Sequence, residues 1–243
     1  MGPEQRSVLV LPTYNEIENL DRFIRAVRAS APSIHVLVID DNSPDGTGRV
    51  ADSLAAELGN MVVIHRTNQR GLGSAYRAGF RHVAAEAFAY VITMDADFSH
   101  DPALIPSFIQ QLNAGADVVV GSRYCPGGSI INWPWHRMAL SKWGNLYTRT
   151  LLGLATRDCT TGYRGYAMSA LTAIGIENVS GEGYVFLSSM ITRATEEHLR
   201  IVEVPICFAN REHGTSKMSW RIIAESMFIV TLHGLRRRVL RRH

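Results

Sequence analysis

The chain has 243 residues, of which 46% are hydrophobic and 19% charged, as is ordinary for a globular protein of one large or two small domains. No stretch approaches the roughly 18 apolar residues of a membrane span, and the N-terminal apolar run is too short for a secretory signal peptide. The three cysteines are odd in number and widely spaced, which predicts a reducing compartment and neither a disulfide framework nor a zinc site.

The positive charge is concentrated at the C-terminal end of the chain. The formal net charge is +3, and residues 236–243 contain five arginines. Removing these five charges leaves a body of net charge −2, so the tail is a separate electrostatic feature. We expect residues 1–235 to form one domain and residues 236–243 a basic tail. The acidic body, with no recognised nucleic-acid motif, argues against a nucleic-acid partner.

The first half of the sequence alternates apolar runs with segments of helical periodicity. The runs are continuous rather than alternating, which indicates strands buried on both faces. The pattern therefore predicts an α/β fold, with a mostly parallel sheet sandwiched by helices. The predicted strands are 7–15, 35–40, 61–66, 89–97 and 116–124. The first predicted helix follows Asn15, which could cap its N-terminus, and the next three start near residues 50, 73 and 102.

After residue 125 the regularity falls. We predict strands within 160–168 and 199–208, a helix over 184–197, and a polar loop over 209–219. Residues 137–153 and 219–235 have the pattern of amphipathic helices.

Polar side chains follow several predicted strands at the point where each strand ends. Ligands of parallel sheets bind in the crevice beyond the carboxyl ends of the strands, so the sequence predicts one cleft there. The polar groups are Tyr14, Asn15 and Glu16 after the first strand, Asp40, Asp41 and Asn42 after the second, Asp95 and Asp97 after the fourth, and Arg123 after the fifth.

Asp95 and Asp97 raise the question of what holds two carboxylates together. Like charges this close repel unless a positive group lies between them. The sequence lacks the glycine patterns of dinucleotide-binding and P-loop proteins, and a hard divalent cation on a diphosphate is the remaining interpretation. A capped turn at the strand end is the structural alternative.

Seven motifs follow one another along the chain: LPTYNE (11–16), IDDNSPDGT (39–47), RGLGSAYRAGF (70–80), MDADFSH (94–100), GSRY (121–124), TGYRGY (161–166) and EVPICFANREHGTSKMS (203–219). In this order they resemble those of the polyprenol-phosphate (dolichol-phosphate) mannosyltransferases, which are family 2 glycosyltransferases with a GT-A fold. The resemblance covers about residues 7–220, nearly the whole chain.

The resemblance implies inverting, metal-dependent transfer of mannose from GDP-mannose to a polyprenyl (dolichyl) phosphate. Glucose from UDP-glucose is the alternative donor sugar. The implied GDP-mannose contacts are Pro12, Tyr14, Glu16, Ile39, Asp41, Asp95, Ala96, Asp97, Arg123, Arg211 and Lys217. The implied catalytic residues are Asp97, Arg123, Arg211 and Lys217. Asp95, Asp97 and Ser99 would surround Mg²⁺ or Mn²⁺, and Arg123 and Arg137 are candidates for the acceptor phosphate.

Structural roles are open alternatives for several of these residues. Asp40 could serve only the turn, Arg123 could pair with an aspartate, and Arg211 and Lys217 could be solvated loop charges. We give His100 an incidental or structural role.

The sequence departs from the family at two places. Some members have Gln at the position of Ser99, so Ser99 could reach the metal only through water. Relatives carry Gln and an acidic residue near Leu187 and Ser189, and this difference leaves the sugar and acceptor less certain.

A lipid acceptor without a membrane span predicts a peripheral protein on the cytoplasmic face of the membrane. We expect the helices over 137–153 and 219–235 to lie on the membrane surface, with the arginine tail on anionic lipid. A membrane-spanning partner subunit is a second option, and a solvated tail is a third.

Overall fold

A seven-stranded sheet forms the centre of the computed structural model, which describes residues 5–67, 71–179, 181–210, 227–232 and 234–235. The strand order is β3-β2-β1-β4-β7-β5-β8, and every pair is parallel except the two that involve β7. The strands are β1 (Ser7–Thr13), β2 (His35–Asp40), β3 (Met61–His65), β4 (Tyr90–Thr93), β5 (Val118–Ser122), β7 (Arg164–Ala167) and β8 (Ile201–Pro205). The short strands β6 (Ser129–Ile130) and β9 (Cys207–Phe208) form a separate parallel pair.

Helices cover both faces of this sheet. They are α1 (Leu20–Ser30), α2 (Thr47–Leu58), α3 (Leu72–Ala84), α4 (Ile105–Asn113), α5 (Trp135–Leu152), α6 (Met168–Ile174) and α7 (Gly183–Glu196), with 3₁₀ turns at Pro102–Leu104 and Ile176–Asn178. Residues 227–232 and 234–235 are also helical.

The core has two halves because successive strand residues point to opposite faces. Val8 and Val10 of β1 pack with α3, α6 and α7, whereas Leu9 and Leu11 pack with α1, α2 and α4. This double burial explains the continuous apolar runs and confirms the predicted α/β fold.

The loop after β1 differs from the prediction. Asn15 does not cap α1, which begins at Leu20; it adopts a left-handed conformation with φ of 56°. The backbone amides of Asn15, Glu16 and Ile17 instead donate to three side chains in the loop after β2 and at the start of α2, those of Ser43, Thr47 and Asp45. The two loops that begin the cleft are therefore fixed to each other.

The segment from Asp158 to Tyr163, which leads into the antiparallel strand β7, crosses the cleft. It passes the carboxyl ends of β4 and β5, where the Thr93 hydroxyl donates to the Gly162 carbonyl at 2.8 Å. Arg164 at the start of β7 is fully buried and donates to three backbone carbonyls, those of Cys159, Thr161 and Leu187.

The helix predicted over 137–153 is α5. The helix predicted over 219–235 lies partly outside the described residues, as does the whole tail, 236–243. In the part of the chain that the structure describes, no helix has the length and apolarity needed to cross a bilayer.

Candidate active site

The edge of the cleft formed by β1 and β2 is held by buried acidic side chains. Asp40 accepts hydrogen bonds from the Thr13 hydroxyl at 3.2 Å and from the amide and hydroxyl of Ser43 at 3.0 and 2.5 Å. Because these donors occupy both oxygens of a buried carboxylate, Asp40 has the structural role that the sequence left open. Pro12, Tyr14 and Glu16, predicted for the nucleotide, are half-buried above this edge.

Asp41 forms a buried ion pair with Arg66. The Arg66 Nε donates to Asp41 Oδ1 at 2.6 Å, and the amide of Gly71 donates to Oδ2 at 3.2 Å. Arg66 also donates to the Ser74 hydroxyl. The sequence did not indicate Arg66, because nothing in the last residue of an apolar run identifies its partner.

Ile39 lies in the core and not in the cleft. Its side chain has no exposed surface and packs against Gly79 of α3. The structure therefore offers no surface of Ile39 for the predicted nucleotide contact; this residue instead sets how closely α3 approaches the sheet.

The turn after β4 holds the predicted metal ligands. The Asp95 side chain is 37% exposed and lines a polar cavity. Ala96 and Asp97 are buried, and Asp97 Oδ1 accepts a hydrogen bond from the Ser99 amide at 3.0 Å. Phe98, between Asp97 and Ser99, has φ of 58°, and its ring contacts the Phe23 ring edge-on. This contact anchors the turn to α1.

These residues have the chemistry of a hard-cation site. Two carboxylates and a hydroxyl are oxygen donors of the kind that Mg²⁺ and Mn²⁺ prefer. The Ser99 hydroxyl is buried and has no hydrogen-bond partner within the described residues, so it has a free donor atom in a polar setting. The described ranges contain no group of three His, Cys, Asp or Glu residues arranged to hold a metal. This set fits a cation that receives its remaining oxygens from a substrate diphosphate.

Arg123, just after β5, forms a buried ion pair with Asp158. Its Nε and Nη2 donate to the two carboxylate oxygens at 2.6 and 2.8 Å, and Nη2 also donates to the Thr160 hydroxyl at 2.7 Å. Burial alone would lower the pKa of the Arg123 guanidinium, but the Asp158 carboxylate outweighs it and raises that pKa. Burial likewise opposes ionisation of Asp158, yet Arg123 holds the pKa of this carboxyl below its usual range. Both groups are therefore charged at neutral pH.

Two cavities meet at Arg123. One is the polar cavity beside Asp95; the other is an apolar groove between α5, α7 and the C-terminal helical residues. Five residues line both of them: Arg123, Trp133, Arg137, Thr160 and Tyr184. The apolar groove adds Leu140, Ser141, Trp143, Gly144, Asn145, Thr148, Val185, Ser188, Met227 and Val230.

Arg137 lies at the boundary between the two cavities. Its guanidinium stacks 3.8 Å from the centroid of the Trp133 ring, and Nη1 donates to Asn210 Oδ1 at 3.1 Å. The structure thus brings together Arg123 and Arg137, as predicted for an anionic acceptor. Arg211 and Lys217, predicted to act on the donor phosphates, lie outside the described residues.

The departure at Leu187 is a core position. Leu187 is buried among hydrophobic residues, and its carbonyl accepts a hydrogen bond from Arg164. Of helix α7, the residues that face the cavities are Tyr184, Val185 and Ser188. Leu187 therefore does not line either of the two cavities.

Comparison with known proteins places this site in a family. The model of the family described as "Glycosyl transferase family 2" matches residues 8–175, which include both acidic strand ends, Arg123 and Asp158. The chain belongs to glycosyl transferase family 2. Its architecture is the GT-A fold, and the chain is a glycosyltransferase.

Two curated relatives in this family cover almost the whole chain. The polyprenol monophosphomannose synthase of Mycolicibacterium smegmatis is 45% identical over 238 residues, which is 98% of this chain and 90% of the relative. The undecaprenyl-phosphate mannosyltransferase of Micrococcus luteus is 45% identical over 230 residues, which is 95% of this chain and 94% of the relative.

Solved structures of lower identity share the fold. Glucosyl-3-phosphoglycerate synthase from Mycobacterium tuberculosis, in complex with Mn²⁺, UDP and glucosyl-3-phosphoglycerate, has a TM-score of 0.65 at 19% identity; the match covers 95% of this chain and 78% of that one. Mannosyltransferase PcManGT from Pyrobaculum calidifontis, with GDP-mannose and Mn²⁺, has a TM-score of 0.63 at 14% identity and covers 97% of this chain and 65% of that one.

Proposed function

We propose that this protein transfers mannose from GDP-mannose to a polyprenyl phosphate, with inversion at the anomeric carbon and with Mg²⁺ or Mn²⁺. One observation carries the proposal: a polar cavity beside Asp95 adjoins an apolar groove, with Arg123 and Arg137 on the wall that they share. This arrangement suits an acceptor with an anionic head and a hydrocarbon tail, because the two parts need opposite surroundings. The names of the two relatives at 45% identity support transfer of mannose to a polyprenyl phosphate.

The donor half of the site is the acidic strand end. Asp95, Asp97 and Ser99 would hold the cation, in keeping with the Mn²⁺ bound in both solved neighbours. When bound, the cation neutralises the donor diphosphate and stabilises the charge that develops on the leaving GDP. Arg211 and Lys217 would add positive charge over the same phosphates.

The nucleoside would lie over the loops after β1 and β2. Pro12, Tyr14 and Glu16 provide the half-buried surface there. Asp41 would act at the base or ribose with its orientation set by Arg66.

The acceptor half needs positive charge rather than a strong general base. A phosphate monoester is already anionic near neutral pH, so Arg123 and Arg137 would bring it close to a second anion. One acceptor phosphate oxygen attacks the anomeric carbon while the bond from that carbon to GDP breaks. Asp158 keeps the Arg123 guanidinium charged and fixed for this contact.

Sugar transfer in a defined mixture tests this function. The purified chain is incubated with radiolabelled GDP-mannose or UDP-glucose, a short polyprenyl phosphate, and either Mg²⁺ or EDTA. We expect a mannolipid that is lost with EDTA and in Asp95→Ala, and retained in the exposed control Glu177→Gln. Product from UDP-glucose alone would refute the mannose assignment. No lipid product from either donor would point to a different acceptor or to a missing membrane partner.

An exposed apolar surface continues the groove outward and supports contact with a membrane, which we propose is made on its cytoplasmic face. We define the apolar face by six exposed residues of α5 and the C-terminal helical residues: Trp135, Trp143, Leu146, Phe228, Leu232 and Leu235. Trp143 both lines the groove and is exposed, so a lipid tail in the groove would leave onto this face. Tryptophan and leucine beside a basic segment are typical of helices in the membrane interface.

Flotation with anionic liposomes tests the membrane contact. Replacing Phe228 and Leu232 with Ser removes two large side chains from the lipid contact, and we expect partitioning to fall by about tenfold or more. The matched control is Val62→Ser, an exposed apolar position on β3. Wild-type protein that does not float with liposomes but is recovered with native membranes would favour a membrane-spanning partner subunit instead.

A further inference from the structure

His100 is a buried imidazole whose nitrogens have no hydrogen-bond partner in the described part of the chain. Its side chain has no exposed surface. The ring packs against Tyr163 and Phe208, with centroid distances of 5.2 and 5.1 Å. Buried polar groups without partners are unfavourable and rare, so this one calls for a physical explanation.

The imidazole is directed at the predicted metal site. His100 Nε2 lies 3.4 Å from Asp95 Oδ2, which is close to hydrogen-bond distance without satisfying its geometry. Gly162 backs Asp95, since a Cβ added at Gly162 would lie 3.3 Å from Asp95 Oδ1. The Asp95 carboxylate is thus confined between the imidazole and the Gly162 backbone.

Direct metal ligation by His100 suits this site poorly. Mg²⁺ and Mn²⁺ prefer oxygen ligands, whereas imidazole suits softer ions. Carboxylates that bind metals are commonly held by a second hydrogen-bond donor, and loss of that donor costs about 10–100-fold in metal affinity.

We propose that His100 is a positioning residue for Asp95. When the cation and the donor diphosphate bind, His100 Nε2–H donates to Asp95 Oδ2 and fixes the carboxylate that holds the cation. The inference deepens the proposed function and rests on it. It assigns a use to a residue whose burial between two aromatic rings would otherwise indicate packing alone.

Mn²⁺ binding to the full chain, measured by the EPR signal of free Mn²⁺ with and without GDP, tests the proposal without turnover. We expect His100→Phe to weaken Mn²⁺ binding in the presence of GDP by about 10–100-fold. We expect its thermal midpoint to be equal to or above that of wild type, because the substitution removes two unpartnered nitrogens. His136→Phe, at an exposed histidine of α5, is the control.

A second pair of variants covers the case in which His100→Phe does not fold. Gln places an amide donor at the end of a side chain of similar reach, and Met has that reach without a donor. We expect His100→Gln to bind Mn²⁺ more tightly than His100→Met does. Equal affinities for that pair, or wild-type affinity in His100→Phe, would overturn the role of His100. Wild-type protein that fails to bind Mn²⁺ with GDP would instead count against the proposed function itself.

Discussion

Replacing Arg123 with Met removes the countercharge of a carboxylate that has no exposed surface. Asp158 accepts five hydrogen bonds: two from the Arg123 side chain at 2.6 and 2.8 Å, one from the Arg123 amide at 3.1 Å, and two from the amide and hydroxyl of Thr160 at 3.2 and 3.3 Å. Removing one partner of such a buried pair typically costs about 3–5 kcal/mol. Because the two amide donors and the Thr160 hydroxyl remain, we expect a loss of about 3 kcal/mol in the free energy of unfolding.

Urea denaturation at neutral pH measures this loss, and a double-mutant cycle isolates the pair. Arg123→Met with Asp158→Leu removes both charges together, so the double variant should regain most of the stability that either single variant loses. Glu177→Ala, which breaks an exposed ion pair with Arg81, should change the unfolding free energy very little.

Additive losses would refute this reasoning. If the double variant is destabilised by the sum of the single variants, to within about 0.5 kcal/mol, the two side chains do not act as a pair. A loss in Arg123→Met no larger than that of the exposed control would likewise show that Asp158 is solvated or protonated.

Two further predictions concern the pH dependence of the Arg123–Asp158 pair and the steric room around a glycine of α3. In wild type, Asp158 has a lowered pKa, so its contribution to stability is present at neutral pH and is lost only as the pH falls below the usual aspartate range. In Arg123→Met, burial favours the protonated form of Asp158. The difference in unfolding free energy between this variant and wild type should therefore shrink between about pH 7 and pH 5, as measured by urea titrations. Gly73→Ala should destabilise the protein by about 1–3 kcal/mol in the same assay, because its methyl would lie 2.7 Å from the Gly181 carbonyl oxygen, whereas Gly144→Ala, with open space around it, should be neutral or slightly stabilising.

The parallel core of the fold could be predicted because burial on both faces leaves a local mark. Each residue of a strand such as Leu9–Leu11 is apolar whichever face it points to, so the pattern is visible without any knowledge of neighbours. The antiparallel direction of β7 leaves no such mark. It depends on the path by which the chain returns from α5, and this path is a tertiary property.

The candidate site likewise contains residues that a local sequence pattern reveals and residues that only the tertiary structure reveals. Asp95 and Asp97 could be found because strand ends in a parallel sheet share an edge and because their spacing is local. The partners of the site could not be found in this way: Asp158 is 35 residues from Arg123, and Arg66 is 25 residues from Asp41. The sequence predicted that Arg123 contacts the acceptor, with pairing to an aspartate as an alternative. The structure shows that Asp158 is its partner and that this ion pair fixes the guanidinium.

Apart from Arg211 and Lys217, the residues that we propose for the donor and for the acceptor come from separate stretches of chain. The strand ends proposed to bind the donor belong to β1, β2 and β4, all before residue 100, whereas Arg123, Arg137 and the apolar groove come from residues after β5 begins. The two stretches meet in the main-chain pairs of β7 with β4 and β5, and also in side-chain contacts between α3 and the N-terminal end of α7, such as the Arg77–Glu182 ion pair. A chimera joined between α4 and β5 would therefore have to keep these side-chain contacts intact in order to exchange one half of the site.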